Sequence, residues 1–393
     1  MIPSYDRFGQ NLSALVAQIS AQPDPLLIVN FAADDPESPI SIMLLREKTE
    51  MLVQGIQAAA DHLGAKLVLL AGSQEELDAL PDRLTTEACV VRVPESLVFR
   101  APAALLSYLE SDEVYVPVQH ENVVIHVDQR HAALCVDSET VCWFSGKEEK
   151  HICILSDAGE CFVTVALDTP LARAIAEPVK APILLGGMLG RWLSPEQVQT
   201  MRIGANALFD SIDLRTQCPV AKTAQLMGDA QAQSCGHCVL CREGTWQMEA
   251  ILKDLAQTTG ASDGAELIAD MAPLIELGTL CPFGRNAAAM AASLLIAAPD
   301  EVESHGKKRQ CILQGGVQKG YRIDPQKCTG CTECMDACPE DAIEGRKGFI
   351  HIILDRMCTS CGACAKVCEE DAVTQDLSIR VPARPIKVGR FRP

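Results

Sequence analysis

Two runs near the C-terminal end constrain this chain most: Cys328-x2-Cys331-x2-Cys334-x3-Cys338-Pro339, and its repeat Cys358-x2-Cys361-x2-Cys364-x3-Cys368. This spacing wraps thiolates around a cubane [4Fe–4S] cluster, twice, with each fourth cysteine closing the other cluster. Cys328, Cys331, Cys334 and Cys368 are therefore expected to hold one cluster, and Cys358, Cys361, Cys364 and Cys338 the other. Thr329, Gly330, Gly362 and Ala363 are small, so backbone N–H groups can approach the sulfurs and stabilise the reduced state. Glu369 stands where the first run has Pro339. An acid there is expected to lower the potential of the neighbouring cluster. The competing reading is zinc, which more usually takes two paired cysteine motifs than a three-plus-one pattern repeated twice.

A third set is Cys235, Cys238 and Cys241, followed forty residues on by Cys281. Three sulfurs at two-residue gaps plus one remote sulfur can close another cubane. Cys281 opens an alanine-rich helix, and a helix N-terminus stabilises thiolate and anionic cluster alike. Twelve of the nineteen cysteines are thus assigned. Cys89, Cys135, Cys142, Cys153, Cys161, Cys218 and Cys311 have no cluster spacing and read as buried small hydrophobes. His237, inside the Cys235–Cys241 loop, is either a passive loop residue or a hydrogen-bond donor to that cluster.

The remaining sequence sets the scaffold. The 393 residues suggest two to four domains, and a hydrophobic content of 48% permits large cores. A net charge of −18 argues against nucleic-acid binding, which needs a basic surface. There is no visible secretory signal and no apolar run long enough to cross a bilayer, so no membrane insertion is expected. Many cysteines without a signal point to a reducing cytoplasm, and oxygen-sensitive clusters point to an anaerobe or a protected cell.

Residues 26–30 and 66–70 read as strands. Between them Leu52, Ile56, Ala59, Ala60 and Leu63 recur at helical spacing before a stop at Gly64, predicting a parallel βαβ unit. Segments 122–127, 132–136, 151–155 and 160–166 read as strands of a small β-rich domain. Helices are expected at 245–258, 265–277 and 285–297. Residues 376–393 form a basic tail, read either as an extended arm for a partner or as a disordered end.

The run from Ser234 to Thr245, Ser-Cys-Gly-His-Cys-Val-Leu-Cys-Arg-Glu-Gly-Thr, and the later Leu280-Cys-Pro-Phe-Gly284 resemble the helical domain of the complex I flavoprotein (51 kDa, NADH-binding) subunit family. Related subunits occur in NAD-linked hydrogenases and formate dehydrogenases, often with a two-cluster ferredoxin module appended. The resemblance implies an α/β multidomain chain. Its parts are a degenerate flavoprotein Rossmann-like α/β domain (1–118), an SLBB-like β-grasp (119–215), a helical [4Fe–4S] domain (216–300), a linker (301–320) and a bacterial-type 2×[4Fe–4S] ferredoxin domain (321–375).

That family binds FMN and NADH through a loop of the type G-R-G-G-A-G-F-P, and no such stretch exists here. The family's acidic motif survives only as Asn30-Phe-Ala-Ala-Asp-Asp-Pro. Its G-E-E-T-A-L stretch falls near Arg100-Ala-Pro-Ala-Ala-Leu-Leu106, without the glycine or the acids. Phosphate needs converging N–H groups that glycines make reachable. FMN is therefore not expected, and neither is a catalytic centre. Gly186-Gly187-x-x-Gly190 is read as a β-grasp turn, not a nucleotide loop.

The expected function is an electron relay of three [4Fe–4S] clusters within a larger soluble oxidoreductase. Its expected partners are a NAD(P)-linked flavoprotein, a hydrogen-, formate- or aldehyde-oxidising subunit, and soluble ferredoxin. The alternatives are an NADH-oxidising FMN subunit with a diverged site, and a zinc-bearing structural adaptor.

Overall fold

A computed structural model describes the chain except for residues 1, 8–9, 115, 117–124, 128–130, 257–262, 309–310, 312–320, 355–356, 359–360, 376–378, 383 and 392–393. The start of the strand expected at 122–127, the end of the helix expected at 245–258, and most of the 301–320 linker lie outside the described residues. The chain forms two compact units: Met1–Glu249 with Ile268–Pro299, and Ala250–Leu267 with Asp300–Pro393.

The first unit contains two five-stranded sheets. In the first, β1 (Leu26–Asn30), β2 (Leu67–Gly72), β3 (Glu87–Arg92), β4 (Ile125–Val127) and β5 (His131–Asp137) run in the order β3-β2-β1-β5-β4. β1 pairs in parallel with β2 and with β5, and only β4 is antiparallel. Every residue of β1 is buried, as expected of a strand covered on both faces. Helix Thr49–Leu63 buries Leu52, Ile56, Ala59, Ala60 and Leu63, the face its spacing predicts. Each of its larger apolar side chains contributes roughly 1.5–3 kcal/mol. The helix ends at Gly64, whose φ of 71° lets its N–H return to the Ala60 and Asp61 carbonyls.

Residues 132–136, grouped by sequence with the β-rich segment, lie instead in this first sheet as β5. Local pattern identifies such a strand but not its sheet, because parallel pairing with β1 joins residues about a hundred positions apart.

The second sheet comprises β6 (Glu149–Ser156), β7 (Gly159–Ala166), β8 (Ile183–Leu185), β9 (Arg191–Leu193) and β10 (Ser211–Asp213), in the order β7-β6-β10-β8-β9. Its core gathers Ile152, Leu171, Leu185, Val198, Ile203 and Ile212. Helix Pro219–Gln233 and helix Pro282–Ala297 also belong to this unit. The alanines of the latter, Ala287, Ala288 and Ala291, are fully buried, and Ser293 Oγ accepts a hydrogen bond from the Trp192 N–H at 2.8 Å.

The second unit carries two short antiparallel pairs, Arg322–Ile323 with Val373–Thr374 and Ile343–Glu344 with Ile352–Ile353. The two cysteine runs are offset by 30 positions (Cys328 to Cys358, Cys331 to Cys361, Cys334 to Cys364). The strand pairs obey the same offset: 322–323 maps to 352–353, and 343–344 maps to 373–374. Each half therefore lends a strand to the other. Of the basic tail, the segment around Lys387 is not a free arm. Ile350 N–H donates to the Ile386 carbonyl at 2.8 Å, and Val388 N–H to that of Gly348 at 3.2 Å.

Candidate metal centres

The first candidate centre begins where helix Pro219–Gln233 stops. Gly236 takes a φ of +79° and turns the chain, its N–H donating to Ser234 Oγ at 3.2 Å. Arg242 closes the loop, donating from Nη1 to the Gly236 carbonyl at 2.6 Å. Cys241 lies in the first turn of helix Val239–Ala256, and Cys281 is the N-cap of helix Pro282–Ala297. Gly284 allows that helix to come close. A Cβ there would sit 2.8 Å from Cys241 Sγ and 2.6 Å from Thr279 Cγ2.

Cys241 and Cys281 are buried, while Cys235 and Cys238 are partly exposed. Burial pushes the Cys241 thiol up to about 11, and Cys281, Cys235 and Cys238 add to the rise, against a hydrogen bond from Ser234. The Cys281 thiol is raised by burial and by Cys235 and Cys238, and is eased by the N–H groups of Phe283 and Gly284. Four crowded thiols, with the buried pair Cys241 and Cys281 held towards the protonated form, are costly to ionise alone. They become favourable once a cation takes up the thiolate charge. His237 Nε2 donates to the Val114 carbonyl at 2.7 Å, so that ring nitrogen is engaged away from the sulfurs.

The second unit brings the other eight cysteines together in the two predicted sets. Cys328, Cys331, Cys334 and Cys368 line one cavity of about 50 Å³ together with Glu333, His351, Glu369 and Glu370. Cys338, Cys358, Cys361 and Cys364 line another of about 10 Å³, whose other walls include Tyr321, Ile343, Ile353 and Gly362. Burial pushes Cys334 up to about 12, reinforced by Cys328, Cys331, Cys364 and Cys368. Cys364 is raised by burial and by Cys358 and Cys338, against the N–H groups of Cys364 and Ala365.

Backbone donors are laid out symmetrically. Ala342 N–H reaches Cys338 Sγ and Ala372 N–H reaches Cys368 Sγ, both at 3.3 Å. Left-handed residues Thr332 (φ 86°) and Gly362 (φ 75°) turn the chain into equivalent short helices. A set of four sulfurs with N–H donors fits an iron–sulfur cluster in all three places, and each would supply one-electron transfer when the cluster is bound. Glu369 lines the predicted cavity but is exposed, so its field is screened by solvent.

A different arrangement occupies the crevice at the carboxyl ends of β1 and β5. Chain order reverses there: β2 and β3 lie on one side of β1 and β5 on the other. Open α/β sheets bind ligands at such a point. Here Asp137 ends β5, and its carboxylate accepts from the Glu139 and Thr140 N–H groups while pairing with Arg7 Nε at 2.9 Å. Arg7 Nη1 also lies 3.3 Å from both Glu139 Oε2 and Asp210 Oδ1. Lys150 Nζ bridges the same two carboxylates at 2.5 and 2.6 Å. Arg7, Glu139 and Lys150 are all buried. Burial disfavours the Glu139 charge, yet Lys150, His151 and Arg7 together hold it well below the usual carboxylate range.

The glycine turn at 186–190 is likewise engaged. Asp35 Oδ2 accepts the Met188 N–H at 3.0 Å, and a Cβ on Gly187 would lie 2.3 Å from that oxygen. Beside this region a cleft of about 330 Å³ is lined by Arg7, Arg100, Arg191, Asn206, Pro282 and Asn286.

Sequence reasoning missed the network because its members lie up to two hundred positions apart. It also missed a buried clasp in the second unit, where Cys311 donates to Glu301 at 2.9 Å and His305 spans Glu301 and the Leu255 carbonyl. The available signal was charged and imidazole side chains in an otherwise linker-like stretch. Of the seven unassigned cysteines, Cys89 and Cys161 are exposed and the rest are buried. No helix among the described residues is long and apolar enough to cross a membrane.

These centres mark an iron–sulfur protein of the electron-transfer class. Residues 208–305 match the NADH-ubiquinone oxidoreductase-F iron-sulfur binding region, and residues 320–369 match the 4Fe-4S dicluster domain. Over 148 residues the chain is 28% identical to the NADP-reducing hydrogenase subunit HndC of Solidesulfovibrio fructosivorans, covering 37% of this chain and 29% of that one. Over 74 residues it is 34% identical to a subunit of the ion-translocating oxidoreductase complex of Vibrio vulnificus, covering 19% and 34%. The chain therefore spans about a third of the length of these curated relatives. The fold is similar to that of NAD+-reducing [NiFe]-hydrogenase in its H2-reduced and air-oxidised states. The TM-score is 0.65 at 18–19% identity, over 77% of this chain and 60% of the other. The chain is thus similar to the complex I flavoprotein-type iron–sulfur region over 208–305 and to a two-cluster [4Fe–4S] module over 320–369.

Proposed function

We propose that this chain is a flavin-free electron relay of three [4Fe–4S] clusters, acting as a subunit of a cytoplasmic oxidoreductase complex. The first sheet is read as a degenerate flavin domain and the second as an SLBB-like β-grasp. Cys235, Cys238, Cys241 and Cys281 hold one cluster, and the two sets in the second unit hold the others. The observation that carries the flavin-free reading is the filled switch-point crevice. Arg7 and Lys150 pair with Asp137, Glu139 and Asp210 where a flavin phosphate would need free N–H donors. The chain's own residues fix the sulfurs and supply N–H donors to them; they perform no bond-breaking chemistry. Electron donors and acceptors are then separate chains: a NAD(P)-linked flavoprotein, a hydrogen-, formate- or aldehyde-oxidising subunit, or a soluble ferredoxin.

A second reading, an FMN-bearing NADH oxidiser, draws on the arginine-lined cleft beside Pro282, whose chemistry suits a phosphate-bearing cofactor. NADH added to the anaerobic holoprotein separates the two. The relay leaves the visible cluster absorbance unchanged with NADH and bleaches with dithionite. Bleaching by NADH alone, with no other protein present, overturns it.

A further inference from the structure

The two halves of the dicluster segment are related by the 30-position offset, so each residue near one set of cysteines has a counterpart near the other. Ala342 and Ala372 donate equivalent N–H bonds at the same 3.3 Å. Asp324 N–H donates to the Ala372 carbonyl, and Leu354 N–H to that of Ala342, as equivalent pairs. Asp341 and Asp371 share a positive φ of 48° and 46°. Against this symmetry one pair differs sharply. His351 lines the cavity of Cys328, Cys331, Cys334 and Cys368, and its counterpart Tyr321 lines the cavity of Cys338, Cys358, Cys361 and Cys364.

The difference is chemical. His351 is buried, and its Nδ1 lies 3.4 Å from Cys334 Sγ. Its Nε2 is also buried and makes no well-formed hydrogen bond among the described residues, and the Arg346 carbonyl is the ring's other polar neighbour. A thiolate bound to iron presents only lone pairs, and the ring nitrogen facing it must carry the proton to be attracted. Tyr321 is directed elsewhere. Its hydroxyl accepts from Gln375 Nε2 at 3.3 Å and lies 2.7 Å from where a Gly362 Cβ would be. The supporting residues differ in step. Gln375 answers to Gly345, where a Cβ would come within 1.9 Å of His351 Cδ2, so only glycine leaves room for the ring.

We propose that His351 donates a hydrogen bond from Nδ1 to the Cys334 sulfur and thereby makes the cluster of Cys328, Cys331, Cys334 and Cys368 the higher-potential member of the pair, where electrons collect. The proposal rests on the cluster assignment above. A hydrogen bond to sulfur stabilises the more negative, reduced cluster and raises its potential. Glu333, Glu369 and Glu370 line the same cavity and act in the opposite sense. All three are exposed and their fields are screened, whereas the His351 contact is short and buried. His351 is a positioning and tuning residue and touches no reacting substrate.

The test is an EPR-monitored redox titration of the anaerobic holoprotein, with iron counted in every sample. His351→Leu should move one ferredoxin-type midpoint negative, by roughly tenfold in its reduced-to-oxidised ratio (~59 mV for one electron), and leave the other two unchanged. His351→Asn keeps an N–H donor near the Nδ1 position and should restore most of the shift. Tyr321→His combined with Gln375→Gly, which rebuilds the glycine-backed ring position, should raise the midpoint of the opposite cluster alone. Full iron with no midpoint moved, or with both ferredoxin midpoints moved equally, overturns the tuning role while the cluster assignment stands. Should His351→Leu fail to assemble, the Tyr321→His/Gln375→Gly double variant decides, and an unmoved midpoint there overturns the proposal. Wild-type protein without iron overturns the cluster reading itself.

Discussion

The crevice at the ends of β1 and β5 and the three cysteine cradles are opposite solutions to placing polar groups inside a protein. In the crevice, two cations and three carboxylates from distant parts of the chain satisfy one another. In the cradles, like groups face one shared space, and burial with the neighbouring sulfurs raises the pKa of the buried thiols such as Cys241 and Cys334. A buried ion network leaves little for a ligand to gain. A ring of thiols gains a great deal from an electron-poor metal. The proposed relay follows this contrast, in which an external group has most to gain at the sulfurs and least at the switch point.

The largest effect should come from Cys281→Ser. It should remove about four of roughly twelve irons, and one of three reduced-state EPR signals, because a cubane needs all four ligands. Retention of all the iron would break the assignment of Cys281. Next is Lys150→Met, which leaves Glu139 and Asp210 facing each other with less cation between them. Removing one partner of a buried pair costs about 3–5 kcal/mol. A clear drop in the first calorimetric transition should follow, partly recovered by adding Glu139→Gln. An unchanged transition would mean that the network is not closed as described.

Smaller still is Gly284→Ala, which sets a methyl 2.8 Å from Cys241 Sγ. Overpacking of this kind costs about 1–3 kcal/mol. It should lower occupancy of the Cys235/Cys238/Cys241/Cys281 cluster alone, read as a partial loss of one EPR component.

The smallest effect concerns pH. Burial pushes the Asp34 carboxyl up to about 7, against Arg7 and the Ser41 N–H. An acid whose folded pKa is raised withdraws stability as pH climbs from its ordinary value towards the folded one. Asp34→Asn should therefore melt higher than wild type above pH 7, with the gap closing towards pH 4. The gain is limited to about 1–2 kcal/mol, because the amide accepts the Ser41 hydrogen bond less strongly. A gap that widened on acidification would contradict the stated sign.

Local features were legible in the sequence because their signals are local. The buried face of helix Thr49–Leu63, its glycine stop and the parallel pairing of β1 with β2 follow from periodicity. Three of four cysteines in each set announce themselves by spacing, and the remote fourth follows from the repeat in two cases. What the sequence hid was long-range. β5 joins a sheet begun a hundred residues earlier, and Arg7 meets Asp210 across the first unit. No window of composition reveals such pairs. The His351–Tyr321 asymmetry was hidden for another reason: it emerges only once the two halves are superposed by their shared offset.

The central claim is three clusters and no flavin on one chain. Anaerobically purified holoprotein should be analysed for iron, acid-labile sulfide and acid-released flavin in the same sample. About twelve irons and twelve sulfides per chain, with flavin far below stoichiometry, is the predicted result. Stoichiometric FMN, or eight irons with the Cys281 set carrying none, would contradict it.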